Sequence, residues 1–442
     1  MAHSPKKARQ ELSAASLFRQ LHSGFQTIPD SRAGTPAISL ADALMSAFAM
    51  FSLKDPSLLA FDQRRQDPND NFRTIYGLER IPSDTQMRTI LDPVEPQQLR
   101  PFFRDIFHRL QRGKVLENYV FWNGHYLISL DGTGYYSSQT IHCPSCLIKN
   151  HRNGTTTYHH QLLGASLVHP DLKEVIPLAP EPIVLQDGAA KNDCERNATR
   201  RWLKSFREVH PHLPAIIVED GLSANAPHLR DLADADVHYI IGVKPGDHAF
   251  LFQRLREADE ANRTQHLTQI DADADLLHHY HWHLQVPLNE SNLDMLVNVL
   301  EYWEIHASGK IQYFSWITDL VLGGGTVYYI MRGGRARWKI ENETFNTLKN
   351  QGYNLEHNYG HGSQNLSVVL AMLMMLAFLV DQVQQRCCPV FQAAADKYRT
   401  KCYLWEQIRH LFEAFLFVSM TELLMAIVRG IVRQEPVLGD TS

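Results

Sequence analysis

Apolar positions recur at helical spacing through the first 115 or so residues, in SLFRQLHSGF, ADALMSAFAMFSL and LRPFFRDIFHRLQ, with polar or proline-containing turns between the runs. The pattern predicts a helical N-terminal domain over residues 1–115. Within it, Ser83 opens SDTQ, whose Ser and Gln form a capping box for the short helix MRTIL before Pro93 ends it. From Tyr126 the periodicity changes. YLISLDGTGYY reads as a strand ending in an acid, and TTTYHHQLLGASLV and KEVIPLAPEPIV read as further strands. NDCERNATRRWLKSF reads as an amphipathic helix, AIIVEDG as a strand running into an acid, APHLRDLADA as a helix and VHYIIGVKP as a strand. Strands alternating with helices predict an α/β chain with a mixed sheet, its first part over 120–258. HHYHWHLQV, MLVNVLEYWEI, IQYFSWITDL and TVYYIM return to strand-like patterns and predict a β-rich insertion over 259–330. Core helices over 331–385 and a helical region over 386–442 complete the chain.

At 442 residues the chain calls for two or three cores, or for one core with a large insertion. Hydrophobic residues at 44% and charged residues at 21% match globular proteins and exclude wholesale disorder. Six cysteines over this length do not make a disulfide scaffold, and a reducing cytoplasm fits them better. Lys6, Lys7 and Arg9 precede no apolar run, so no secretory signal is expected. The longest apolar stretch, Leu366 to Val380, falls short of the ~20 residues that cross a bilayer and predicts a buried helix, with no membrane partner. A net charge of −5 does not announce a nucleic-acid binder. Local charge differs, because Arg332, Arg335, Arg337, Lys339 and Lys349 outnumber Glu341 and Glu343 between residues 331 and 350.

ISLDG and IVEDG each place an aspartate, Asp131 and Asp220, at the end of an apolar strand. There the backbone is fixed while the carboxylate projects past the sheet, as a metal ligand does or as the cap of a following turn does. In RWKIENETFNTLK, helical rotation puts Trp338, Glu341, Phe345 and Leu348 on one stripe. Glu341 is thereby predicted inward, where a carboxylate requires Arg337, Lys349 or a metal, while Glu343 faces solvent. Asp193 and Glu195 open a helix and read as acids at its positive end. IHCPSCLIKNH sets Cys143 and Cys146 at the spacing of half a zinc knuckle, with His142, His151, His159 and His160 nearby. The pair reads as structural Zn²⁺ ligands or as a hairpin with two reduced thiols. His279, His281 and His283 alternate onto one strand face, a polar face or a metal- or DNA-contacting one.

SLDGTG, VEDGLSAN and RARWKIENETFNTLKNQGY resemble the three catalytic blocks of insertion-sequence DDE transposases, in the insertion-sequence-four-like group that carries a β-rich insertion. The resemblance covers about residues 83–380 and implies a ribonuclease-H-like mixed-sheet core with flanking helices. Asp131, Asp220 and Glu341 correspond to the acids that hold two Mg²⁺ or Mn²⁺ ions. The family signature Tyr-x2-Arg-x3-Glu-x6-Lys is partly kept: Arg337 stands four before Glu341, Gly334 takes the tyrosine position, and Lys349 comes one residue late. The resemblance implies Arg337 and Lys349 at DNA phosphates, and Arg332, Arg335 and Lys339 are their basic neighbours. It further implies binding of terminal repeats, then strand cleavage by water and attack of the freed 3′-OH on target DNA; the N-terminal domain itself reads either as an ordinary helix bundle or as a grip on DNA ends. The protein would act as a homodimer pairing two ends, in the cytoplasm at the nucleoid. Two other functions share these residues: a ribonuclease-H-like nuclease without strand transfer, and a transposase-derived DNA-binding protein without catalysis.

Overall fold

The computed structural model describes residues 9–66, 70–185 and 194–430. The chain forms two compact units, Met1–Gly113 with Leu348–Ser442, and Lys114–Thr347.

The first unit is helical among its described residues. Ser13, Ser39, Ser57 and Ser83 each accept a backbone N–H at a helix start, and the capping box of Ser83 and Gln86 is formed. Two apolar helices, Leu40–Leu53 and Leu366–Cys387, make its centre. The second is longer than the apolar run in the sequence suggests and would reach across a bilayer, yet its most apolar stretch is wholly buried in the protein. Where the first helix ends, Lys54 adopts φ 60° and sends its ammonium inward to Asp381, at 2.6 Å. Tyr353 donates to the same carboxylate, and the rings of Tyr353 and Trp405 lie 4.2 Å from the ammonium. A buried charge is tolerable only with such partners.

The second unit is built on one twelve-stranded sheet. Its strands are β1 Val120–Trp122, β2 His125–Ser138, β3 Leu147–Asn150, β4 Thr156–Val168, β5 Ile176–Pro177, β6 Glu181–Ile183, β7 Ala215–Glu219, β8 His238–Gly242, β9 Gln265–Asp271, β10 Leu276–Asn289, β11 Asn292–His306 and β12 Ile311–Thr318. The order is β3-β4-β2-β7-β8-β12-β11-β10-β9. Antiparallel β2 and β4 lie beside parallel β7 and β8, the mixed sheet that the alternation of strands and helices predicts. β7 is buried along its whole length, as a central strand covered on both faces must be. Helix Glu195–Val209 packs here through Ala198, Thr199, Trp202, Leu203 and Phe206, one stripe at helical spacing. The β9–β12 meander is not a separate sheet: β12 pairs antiparallel with β8 and carries the core sheet onward.

Two sequence expectations change. β2 does not end at its acid but runs on to Ser138, because its antiparallel pairing with β4 continues past Asp131. What ends there is the parallel pairing with β7, whose last partners are Ser129 and Val218. TVYYIM is a helix, Val327–Ala336, and not a strand. Val, Tyr and Ile favour strands locally, but Val327, Ile330 and Met331 have the spacing of one helix face, and adjacent Tyr328 and Tyr329 are both exposed, which strand alternation forbids.

That helix approaches the sheet through two glycines. A β-carbon on Gly333 would fall 2.8 Å from Ile240, and one on Gly334 only 2.3 Å from the Trp316 indole nitrogen. The indole thus occupies the space that a side chain at the family's tyrosine position would need. Gly334→Ala is expected to lower stability by about 1–3 kcal/mol through overpacking, despite alanine's better helix propensity. Gly324→Ala, with open space around it, should leave stability near wild type. Thermal unfolding of the two variants checks this; equal midpoints would contradict the close packing.

Candidate active site

β2 and β7 run parallel, so the residues just past the end of their pairing lie side by side at one end of the sheet. Asp131 stands two residues beyond the last β2–β7 pair, and Asp220 is the first residue after β7. Asp220 also caps its turn, accepting the Leu222 N–H at 3.0 Å, so the capping and site readings hold together. Just inside it, Glu219 and His228 are buried and 2.5 Å apart, tying the end of β7 to helix Ala226–Asp234. Burial disfavours the imidazolium of His228, but the Glu219 carboxylate outweighs it and raises the pKa.

Glu341 rides on the β2–β4 ladder. Ser129 donates to the Arg337 carbonyl at 3.2 Å, and Ser166 meets the Thr344 hydroxyl at 3.2 Å. Gly164, the register partner of Asp131, leaves its β-carbon position to the ring of Phe345. Residues Ile340–Phe345 wind as a π-helix, which changes the rotation assumed for an α-helix. Ile340, Thr344, Phe345 and Leu348 are buried as a result, whereas Trp338 is 51% exposed and leaves the predicted inward stripe. Glu341 and Glu343 are both partly exposed, so helix face does not separate them as predicted. Contact does separate them: Arg337 Nη1 lies 2.6 Å from a Glu341 oxygen and 3.6 Å from Asp131.

Burial pushes the Asp131 carboxyl up to about 7, aided by the charges of Glu341, Glu195 and Asp220 and opposed by Arg337. All three expected acids therefore share one electrostatic site. Glu195 is a fourth member. It stands in the first turn of its helix as expected, but its carboxylate also lies against the bare backbone of Gly132, where a β-carbon would come within 2.2 Å. Burial and the neighbouring Asp220 and Glu219 raise its pKa too. A first-turn acid looks like a dipole partner in any sequence, and only the fold brings it to Asp131. Asp193 lies outside the described residues.

These geometries have a family context. The model of the transposase DDE domain matches residues 150–379, more than half of the chain. The chain belongs to this transposase family. Asp220 and Glu341 fall within the matched stretch, and Asp131 precedes it. No curated protein matches the transposase chain. Among solved structures it is similar to one described as "Cryo-EM structure of piggyBac transposase synaptic complex with hairpin DNA", at 9% identity and a TM-score of 0.38, covering 99% of this chain and 83% of that one.

Of the transposase's expected phosphate contacts, Arg332, Arg335 and Lys339 line one groove of about 330 Å³ with Tyr302 and Tyr328. Each already has a partner: Arg332 pairs with Asp171, Arg335 with Glu304, and Lys339 donates to the Leu172 carbonyl at 2.7 Å. Lys349 belongs to the other unit and pairs there with Glu356 at 2.8 Å. On β10, His279 bonds Thr268 at 2.8 Å, His281 packs edge-on against Trp303, and His283 is buried with its pKa lowered to about 4. They serve the sheet separately. Cys143 and Cys146 occupy the turn between β2 and β3 beside His160 of β4, whereas His151 is engaged with Thr157 and His142 stacks on Tyr158.

The charge balance is directly measurable. In carboxyl ¹³C NMR of aspartate-labelled protein, Asp131 is expected to titrate near pH 7, with Arg337→Gln moving the midpoint up and Glu341→Gln moving it down. A midpoint near the usual aspartate value of ~4, unmoved by either change, would contradict the coupled site.

Proposed function

We propose that the protein is the transposase of a bacterial insertion sequence of the insertion-sequence-four-like group, which cuts DNA at its element's terminal repeats and joins the freed 3′ ends to target DNA. The observation that carries this reading is the meeting of Asp131, Asp220 and Glu341 at one end of the sheet under Arg337, in a chain of the transposase DDE domain family. The donor set fits Mg²⁺ or Mn²⁺: hard carboxylate oxygens, one of them, Asp131, pushed up to about 7 by burial and by its acidic neighbours. Asp131, Asp220 and Glu341 would hold the ions, with Glu195 beside them. When bound, two divalent ions supply activation of the attacking hydroxyl and charge stabilisation of the departing oxygen.

The protein's own groups do the rest. Arg337 balances Asp131 and Glu341 while they lack cations, and its guanidinium can turn its two-pronged donor face to a phosphate once they gain them. Arg332, Arg335 and Lys339 give the groove beside them three cations whose present partners a DNA backbone can replace. Tyr328 and Trp338 expose aromatic faces to which bases can stack. Lys349 supplies a further phosphate contact, and a homodimer pairs the two element ends in the cytoplasm.

The test is cleavage and joining of labelled DNA carrying the flanking ends of the protein's own gene, with Mg²⁺ or Mn²⁺. Asp131→Asn, Asp220→Asn and Glu341→Gln are each expected to lower both steps by at least about 10²-fold while DNA binding persists, and Glu343→Gln to leave them within a few-fold of wild type. Cleavage without joining would instead assign a nuclease. Binding without cleavage under either metal would assign a DNA-binding derivative.

A further inference from the structure

Away from the acids, three soft donors meet inside the second unit. Cys143 and Cys146 lie in the turn that follows β2, and His160 lies on β4 opposite Tyr136 of β2. All three are buried, at 7%, 1% and 1% exposure. Their spacing is informative. The sulfurs are 3.8 Å apart, and His160 Nε2 lies 3.6 Å from one and 3.4 Å from the other. A tetrahedral Zn²⁺ with bonds of ~2.3 Å to sulfur and ~2.05 Å to nitrogen sets ligand edges of about 3.8 Å between sulfurs and about 3.6 Å between sulfur and nitrogen. A disulfide would instead bring the sulfurs to ~2.05 Å. The Cys143 N–H also donates to the Cys146 sulfur at 3.4 Å, while the Cys146 N–H closes the turn on the Cys143 carbonyl.

We propose that Cys143, Cys146 and His160 bind one structural Zn²⁺, with a fourth donor completing the tetrahedron. Two thiolates balance the dication, so the site holds no net charge in its buried setting. Of the four histidines near the cysteine pair in sequence, His160 is the one that faces it: His159 alternates to the other side of β4, His151 accepts or donates at Thr157, and His142 stacks outside on Tyr158. The ion fastens the far end of the β2–β4 ladder, the same ladder on which Asp131 faces Gly164 under Phe345. Its work is to hold that ladder's register; it takes no part in reactions at the acids.

Full-length protein, purified reduced and without chelator, is expected to carry about one zinc per chain by mass spectrometry of the metal. Cys143→Ser, Cys146→Ser and His160→Asn should each lose most of it, and His151→Asn should keep it. Because a ligand variant can fail to fold, the wild-type protein exchanged with Co²⁺ supplies a second readout. A sulfur-to-cobalt charge-transfer band with intense visible absorption marks tetrahedral thiolate ligation. Zinc-free protein that neither takes up Zn²⁺ nor gives this spectrum overturns the proposal, as does zinc that persists in the Cys143→Ser, Cys146→Ser double variant. Metal content is read without DNA, so its outcome is independent of cleavage.

Discussion

Carboxylates brought close together repel one another, and burial worsens the repulsion because little water remains to screen it. At the end of the β2–β7 pairing, burial first, and then the charges of Glu341, Glu195 and Asp220, raise the proton affinity of Asp131 to near neutrality. One guanidinium, that of Arg337, reaches both Asp131 and Glu341 and offsets part of this cost. Everything else in the second unit can be understood as holding that unfavourable arrangement in place. A protein gains nothing in stability from such a cluster, and negative charge concentrated in this way is what cations recognise.

The sheet provides the rigidity. Parallel β2 and β7 deliver two acids to one end of it, and the buried Glu219–His228 pair fixes the turn from which Asp220 projects. Missing side chains allow the other elements to approach: Gly132 admits Glu195, Gly164 admits Phe345, and Gly333 and Gly334 let helix Val327–Ala336 settle on the sheet. The π-helical turn at Ile340–Phe345 then aims Glu341 at Arg337 while burying Phe345. In the helical unit, a single buried ammonium held by Asp381 and two aromatic rings ties the centre together by the same rule that inward charges need close partners.

Much of this was legible in the residues. Period-two and helical patterns placed most strands and helices, the capping box of Ser83 marked one helix start, and strand-acid-glycine strings marked Asp131 and Asp220. The less legible parts are those that tertiary contacts decide. Local preference made TVYYIM a strand, and only packing on the sheet makes it a helix. An ideal α-helical rotation put Trp338 inside, and a π-turn cannot be read from composition. Glu195 carried no mark separating it from an ordinary first-turn acid, and four histidines near Cys143 and Cys146 were equivalent until strand alternation chose His160. The fate of the basic residues was equally hidden, since Lys349 and Arg332 differ in unit and partner but not in sequence character.

On the proposed function, Arg337 stands in for cations at the acid cluster and yields to them. The most direct test is the anomalous diffraction of Mn²⁺-soaked crystals of the protein bound to a terminal-repeat duplex. Manganese peaks are expected at Asp131, Asp220 and Glu341, with the Arg337 guanidinium withdrawn from Glu341 and turned to a DNA phosphate. Arg337 still bridging Asp131 and Glu341, with manganese at other residues, would contradict it.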